Sequence, residues 1–124
     1  MAYLILKNES FDIIGKCMEV HNYLGPGFLE IVYKDALEYE FRQASIPFER
    51  EKKYVINYKG VVLPHTFSAD FVVHRNIILE VKCAQGIVKQ HMAQALNYLK
   101  VSGQPLALIV NFGEEKLTRK RVVL

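Results

Sequence analysis

A predicted β-hairpin is the feature that most constrains how this sequence folds. Within the stretch 68–82, two apolar, β-branched runs flank the short polar segment 74–76, the pattern of two antiparallel strands joined by a tight turn. If 74–76 forms the loop, Asp70 lies directly across from Glu80. Because side chains alternate between the two faces of a strand, Lys82 shares the face of Glu80. The sequence therefore predicts two carboxylates and an amine on one patch of sheet.

The opposite face of the second strand carries Ile77, Leu79 and Val81, which predicts a core face. Ionisable groups on an otherwise apolar sheet cost free energy unless a counter-charge compensates them, so the pattern favours a metal site. A second interpretation stays open, because cross-strand acids and lysines also form solvated faces with weak ion pairs. A register slip of one residue would also turn the two carboxylates to opposite faces.

The size and composition of the chain predict one domain, residues 1–124. About half of the residues are hydrophobic and about a quarter are charged, which excludes a disordered chain. The formal net charge of +3 is compatible with nucleic-acid binding but is also common among unrelated soluble domains. The basic clusters at 50–53 and 116–121 are interpreted as solvated strand faces.

The cysteines and the chain start predict a soluble protein of the cytoplasm. Cys17 and Cys83 follow no motif spacing, which indicates a reducing compartment and not a disulfide scaffold or a zinc site. Segment 1–6 lacks a basic flank and is too short for a signal peptide. No apolar run approaches the length that crosses a bilayer, so no membrane partner is expected.

The periodicity of apolar residues predicts a single mixed α/β domain with the order ααβββαββ. Three consecutive strands predict an antiparallel meander, and a helical crossover then adds a strand in parallel. The run 106–110 is apolar throughout, as expected of a strand covered on both faces. The predicted helices are 9–24, 28–44 and 87–101, and the predicted strands are 48–58, 63–73, 77–83, 105–112 and 116–123.

Glu30 falls in the first turn of the second predicted helix, where the helix dipole favours a carboxylate. An ordinary N-terminal charge explains it as well as a functional group does. Tyr33 shares its helix face, and the preceding Gly-Pro-Gly segment 25–27 lets the chain turn closely against another element. This turn could bring Glu30 over the acidic patch, with Tyr33 as a supporting residue.

The third predicted helix carries a polar seam of His91, Gln94 and Tyr98 beside its apolar arc. The seam is either a hydrogen-bonded border or a set of supporting residues around the Asp70 patch. His21 lies on the apolar side of the first helix and is interpreted as a core residue.

Hydrolysis of a phosphodiester is the chemistry that this set could supply. Asp70, Glu80, the Val81 carbonyl and Glu30 offer the hard oxygen ligands that magnesium prefers, with manganese as a substitute. A divalent ion lowers the pKa of a water, which then attacks the phosphorus. Lys82 could orient that water or neutralise charge on the phosphate. The sequence has no glycine-rich phosphate loop and no serine or cysteine triad motif.

These residues resemble the signature of the PD-(D/E)XK nuclease superfamily, in which an aspartate precedes a Glu-x-Lys triplet, here Asp70 and 80–82. A more specific resemblance lies upstream, because segment 20–33 is similar to the defining segment of the GxxExxY protein family. Gly27, Glu30 and Tyr33 occupy its three named positions. Further short matches occur at 36–37, 46–48, 93–100 and 111–113, so the resemblance covers about 13–124.

The resemblance implies a restriction-endonuclease-like mixed sheet flanked by helices. It implies a magnesium-dependent nuclease acting on nucleic acid, with DNA the favoured substrate, and a homodimer by analogy with other nucleases of this fold. The implied acidic site residues are Glu30, Asp70 and Glu80, the implied catalytic lysine is Lys82, and Gln94 is the implied helix-borne supporting residue.

One residue departs from the superfamily pattern. Ala69 stands where the superfamily has proline, a residue that shapes the strand and holds no metal. Two alternatives remain open because fold does not guarantee function: a non-catalytic module that binds nucleic acid or a partner, and a structural subunit whose last strand pairs with a neighbouring sheet.

Overall fold

The computed structural model describes residues 6–124, which form three helices and seven strands. The helices are α1 (Lys7–Leu24), α2 (Glu30–Gln43) and α3 (Lys89–Ser102). The strands are β1 (Phe48–Tyr54), β2 (Asn57–Tyr58), β3 (Val61–Val62), β4 (Phe67–Val73), β5 (Ile77–Lys82), β6 (Leu106–Asn111) and β7 (Thr118–Val122). Five strands form one sheet in the order β1-β4-β5-β6-β7, and β2 pairs only with β3.

The topology of the main sheet confirms the predicted meander and crossover. Strand β4 pairs antiparallel with β1 on one side and with β5 on the other, and β6 joins β5 in parallel after the α3 crossover. Strand β7 returns antiparallel to β6 and forms an edge of the sheet. Every residue of β6 is buried, as predicted for a strand covered on both faces.

The β2–β3 hairpin is the main difference from the predicted order. The sequence predicts two long strands, 48–58 and 63–73, whereas the chain leaves the main sheet after Tyr54 and returns at Phe67. Pro64 has no N–H to donate to a ladder, which separates β3 from β4. The predicted turn at Lys59 and Gly60 is confirmed, because both have a positive φ, as a two-residue hairpin turn requires.

The β4–β5 hairpin has the predicted register. Val73 pairs with Ile77 and Phe71 pairs with Leu79, so the loop is 74–76. His74 in this loop has a φ of 52°, a left-handed conformation typical of tight hairpin turns. Continuing the ladder by one pair brings Asp70 opposite Glu80.

Two apolar clusters cover the two faces of the main sheet. Helices α1 and α2 cover one face, with Tyr33, Leu37 and Phe41 buried against the sheet. Helix α3 covers the other face through Ala95 and Leu99. Each large apolar side chain buried in this way contributes about 1.5–3 kcal/mol to the stability of the fold. The sheet therefore holds the side chains on its strands in fixed positions.

No helix in residues 6–124 combines the length and apolar character needed to cross a membrane. Both cysteines are free thiols, with Cys17 buried and Cys83 half-buried, so neither forms a disulfide. The prediction for segment 1–6 falls almost entirely outside the described residues.

Candidate active site

Asp70 and Glu80 interlock in the gap between β4 and β5. The Asp70 backbone N–H donates to Glu80 Oε2 at 2.8 Å, and the Val81 N–H donates to Asp70 Oδ2 at 2.8 Å. These two side-chain bonds stand where backbone ladder bonds would continue beyond the Phe71–Leu79 pair. The structure therefore brings the two predicted carboxylates, Asp70 and Glu80, together as an acid pair, each held by the opposite strand.

A change in side-chain alternation along β4 explains how Asp70 reaches this gap. Ala69 packs in the cluster on the α3 face, whereas Phe71 packs in the cluster on the α1 and α2 face. Residues two apart normally share a face, so the alternation shifts at Asp70. On β1, Glu51 between two paired positions has a φ of 53°. This irregularity frees the Asp70 side chain to lie between the strands.

Lys34 holds the other oxygen of Asp70, and the sequence analysis missed it. Its ammonium lies 3.0 Å from Asp70 Oδ1 and also pairs with Glu51 Oε1. Burial lowers the pKa of Lys34, but the hydrogen bonds to Glu51 and Asp70 outweigh that effect and the pKa ends above its ordinary value. Lys34 follows Glu30 by four positions, the spacing of neighbours on one helix face. This spacing is the sequence feature that could have predicted Lys34 near the site.

Glu80 is strongly destabilised as an anion. It is only 5% exposed, and burial followed by the charge of Asp70 raises its pKa to about 8. The Asp70 N–H and the Lys82 ammonium lower the pKa but do not compensate. A buried carboxyl that resists ionisation beside another carboxylate is an arrangement that a cation would relieve.

Lys82, Gln94 and Tyr98 gather on the α3 side of the acid pair. The Lys82 ammonium donates to Gln94 Oε1 at 3.3 Å, so the helix orients the lysine. Burial, then the charges of Glu80 and Asp70, raise the pKa of Tyr98, which indicates that its hydroxyl lies within electrostatic reach of both acids. Of the two predicted supporting residues, Gln94 contacts Lys82 and Tyr98 experiences the charges of both acids.

Glu30 is the first residue of α2 and is exposed. It lies within electrostatic reach of Asp70. Desolvation and the charge of Asp70 raise its pKa, whereas Lys82 and Lys34 lower it. Its charge in turn raises the pKa of Cys83, after the larger effect of burial. Glu30 therefore lies over the end of β5, but it makes no hydrogen bond to the acid pair. Within residues 6–124, no three Asp, Glu, His or Cys side chains are grouped closely enough to hold a metal ion by themselves.

Tyr33, the predicted supporting residue on α2, contacts the core and the turn that precedes Glu30. It is fully buried and stacks on Phe112 at 4.7 Å between ring centroids. Its hydroxyl donates to the Gly25 carbonyl and accepts the Phe28 N–H at 3.2 Å. Tyr33 lies on the core face of α2. Through its hydroxyl it fixes the turn that precedes Glu30.

The two histidines of interest have structural contacts. The ring of His91 accepts the Val88 N–H at 3.2 Å and so caps the start of α3. His21 is buried, and its Nε2 lies 2.9 Å from the Glu114 carbonyl, which confirms the predicted core residue.

Asn111 anchors the segment that follows Lys82, and the sequence analysis gave it no role. Its side chain is fully buried; its Oδ1 accepts the Ala84 N–H at 2.9 Å and its Nδ2 donates to the Ala84 carbonyl at 3.0 Å. Gly113 packs so closely that an added Cβ would lie 2.5 Å from the Ala84 backbone. These contacts hold the end of β5 rigidly against β6.

The donor set fits a hard divalent cation. The N–H and C=O of one strand residue point toward the same neighbour, so the Val81 carbonyl faces β4 as its N–H does. That carbonyl, the Asp70 and Glu80 carboxylates and the nearby Glu30 are all oxygen donors, the ligands that magnesium and manganese take. Glu80 is buried and its pKa stays raised although the Lys82 ammonium lowers it, which supports the same fit.

Comparison with known proteins identifies the family. The sequence model of the PD-(D/E)XK nuclease superfamily matches residues 7–122. The chain belongs to that superfamily. The match covers the acid pair, the lysine and all three helices. Divalent metal ions are the usual cofactors of the superfamily.

Solved structures support the same fold. The crystal structure of SSO0001 matches with a TM-score of 0.62 at 18% sequence identity, covering 74% of this chain and 48% of that chain. This chain thus spans about half the length of SSO0001. A search of curated proteins found no match. The predicted restriction-endonuclease-like fold is confirmed by the element order, the sheet and these comparisons.

Ala69 replaces the superfamily proline without disturbing the sheet. It is fully buried on the α3 face and pairs with Lys52 of β1. An alanine N–H is available to the ladder where a proline has none, so the departure is compatible with a regular strand up to Asp70.

Proposed function

We propose that this protein is a magnesium-dependent nuclease that hydrolyses phosphodiester bonds in nucleic acid, with DNA the favoured substrate. The observation that carries the proposal is the interlocked pair of Asp70 and Glu80, with the Lys82 ammonium on the same side of the sheet. Lys34 pairs with Asp70 and Glu51, so a purely structural ion pair accounts for Asp70 but not for the buried carboxyl of Glu80.

The acidic oxygens are the proposed ligands. Asp70, Glu80 and the Val81 carbonyl would hold magnesium, or manganese as a substitute, and Glu30 would complete the set. The ion would supply an activated water and a counter-charge for the phosphate. Because the pKa of Glu80 is raised to about 8, this carboxyl must release a proton as the ion binds.

The surrounding residues have separate proposed roles. Lys82, oriented by Gln94 at 3.3 Å, would orient the water or neutralise charge that develops on the phosphate oxygens. Lys34 keeps Asp70 in position from the α2 side. Tyr98 would line the α3 side of the site, and Tyr33 would act at a distance by fixing the turn before Glu30.

Finer assignments follow from the same resemblance. We place the chain in the GxxExxY group, on the positions of Gly27, Glu30 and Tyr33. We infer a homodimer, because cutting two strands needs two sites. We also infer a reducing cytoplasmic compartment, because Cys17 and Cys83 are free thiols.

A cleavage assay tests the proposal with isosteric variants. Single-stranded, duplex and branched DNA and matching RNA are incubated with magnesium, manganese or a chelator. Asp70→Asn, Glu80→Gln and Lys82→Met are expected to lower the rate by at least about a hundredfold, in line with the loss of a central electrostatic group. The matched control is Asp35→Asn, because Asp35 is an exposed acid, 66% accessible, that pairs with Arg50. This variant should cleave like the wild type.

Equal residual cleavage in the wild type and all three site variants would identify a contaminant and reject the nuclease. Calorimetric titration with magnesium and manganese then distinguishes a metal-binding site from a non-catalytic module. Ion binding that disappears in Glu80→Gln keeps a metal function for the site, whereas no ion binding in the wild type favours the non-catalytic module.

A further inference from the structure

The β2–β3 hairpin exposes apolar side chains that no part of residues 6–124 covers. Val55, Tyr58, Val61 and Val62 are each 54–60% exposed, and neither apolar cluster of the main sheet includes them. A short two-stranded ribbon is marginally stable alone. Contiguous exposed apolar groups on such a ribbon indicate a binding surface.

The charge of the hairpin segment points to a polyanion. Between β1 and β4, residues 55–66 contain one lysine and one histidine but no aspartate or glutamate. Lys52 and Lys53 precede them at the end of β1, where Lys52 pairs with Glu49. At the tip, the Lys59 ammonium lies 5.4 Å from the centroid of the Tyr58 ring. An aromatic ring beside a cation is the combination that binds single-stranded nucleic acid, by base stacking and phosphate pairing. Two copies docked hairpin to hairpin would instead bring like charges together.

The hairpin lies at the same end of the sheet as the acid pair. It connects the end of β1 to Phe67 at the start of β4. Phe67 is three residues before Asp70, so the base of the hairpin lies about 10 Å along the strand from Asp70. The rings of Tyr54, Phe67 and Tyr98 stack in sequence, at 5.2 and 4.3 Å between centroids, and so connect the hairpin base with the α3 side of the site.

We propose that the β2–β3 hairpin binds unpaired nucleotides beside the phosphodiester that the acid pair handles, with Tyr58 stacking on a base and Lys59 pairing with a phosphate. The position beside a cleaved bond rests on the proposed function, whereas the binding itself does not. At about 3.4 Å per base step, the hairpin base lies about three steps from the acid pair.

Binding of a fluorescein-labelled DNA single strand in the presence of a chelator tests this proposal without cleavage. Tyr58→Ala is expected to raise the Kd about tenfold, the effect of losing one stacked base. Tyr58→Phe should keep the wild-type Kd because the ring remains. Lys59→Ala should lower the slope of log K against log salt by about 0.7, the loss of one phosphate contact on a single strand.

Two matched controls lie elsewhere on the surface. Tyr39 on α2 is 60% exposed, against 57% for Tyr58, and Tyr39→Ala should leave the Kd unchanged. Lys100→Ala, an exposed lysine in the last turn of α3, should leave the salt slope unchanged. All four positions are on exposed surfaces, and equal melting temperatures would show that the variants fold.

An unchanged Kd in Tyr58→Ala, or equal weakening by Tyr39→Ala, would overturn the proposal. Binding that stays unchanged while Tyr58→Ala converts a dimer to a monomer would overturn it too, and would assign the surface to a contact between copies. Tyr58-dependent binding without any metal-dependent cleavage would reject the nuclease and retain the hairpin. Metal-dependent cleavage with hairpin-independent binding would do the reverse.

Discussion

Replacing Glu80 with glutamine should stabilise the protein, and the gain should grow with pH. Glu80 is buried, and its pKa is raised from 4.5 to about 8, so the native state holds a proton that the unfolded state releases between those values. The free energy of unfolding of the wild type therefore falls as pH rises through this window. Glutamine has the shape of the protonated acid and does not titrate, so Glu80→Gln escapes that loss.

The size of the effect follows from the shift. Each pKa unit corresponds to about 1.4 kcal/mol, so the variant should gain about 3 kcal/mol over the wild type near neutral pH. The gain should level off at about 5 kcal/mol above the raised pKa of Glu80. Below pH 4.5, where both states hold the proton, the two proteins should differ little. Titrating groups that do not interact with Glu80 are common to both proteins and cancel in the difference.

Urea denaturation followed by far-UV circular dichroism measures this difference at closely spaced pH values, with a chelator present to remove divalent ions. An exposed acid provides the control, because Glu115→Gln should follow the wild type at every pH. Parallel stability curves for Glu80→Gln and the wild type would refute the reasoning. They would mean that ionisation of Glu80 does not destabilise the native state, and therefore that burial and the charge of Asp70 do not raise its pKa.

Three further predictions test other parts of the site. Lys34→Met removes the cation between Asp70 and Glu51 and should cost about 3 kcal/mol in urea denaturation; an unchanged midpoint would deny Lys34 its role. Gly113→Ala brings a Cβ to 2.5 Å from the Ala84 backbone and should cost about 1–3 kcal/mol. Its control Gly15→Ala meets nothing within 4 Å in the middle of α1 and should gain about 0.5–1 kcal/mol, so equal melting shifts would contradict the packing argument. Magnesium should raise the melting temperature of the wild type through ligand linkage but not that of Glu80→Gln, and equal shifts would place the ion elsewhere.

The order of the main-sheet elements and the acid pair could be predicted because local signals agree there. The polar segment 74–76 fixes the hairpin register, and this register brings Asp70 opposite Glu80. The apolar run in β6 likewise reports burial on both faces, which only a covered parallel strand needs.

Other features depend on tertiary placement. Tyr33 and Lys34 are adjacent in sequence, yet one is in the core and the other reaches Asp70, because the rotation of α2 about its axis is set by packing. The β2–β3 hairpin escaped prediction because its apolar residues continue the strand pattern, although they face away from the core. The shift in alternation at Asp70 has no sequence signal, since it arises from side chains that replace ladder hydrogen bonds.

Anomalous diffraction from crystals soaked in manganese would locate an ion at the acid pair. We expect one strong peak coordinated by Asp70, Glu80 and the Val81 carbonyl, and its loss in crystals of Glu80→Gln. A peak elsewhere on the chain, or an acid pair that binds no ion while Lys34 keeps Asp70 in place, would contradict the claim that these carboxylates form a metal site.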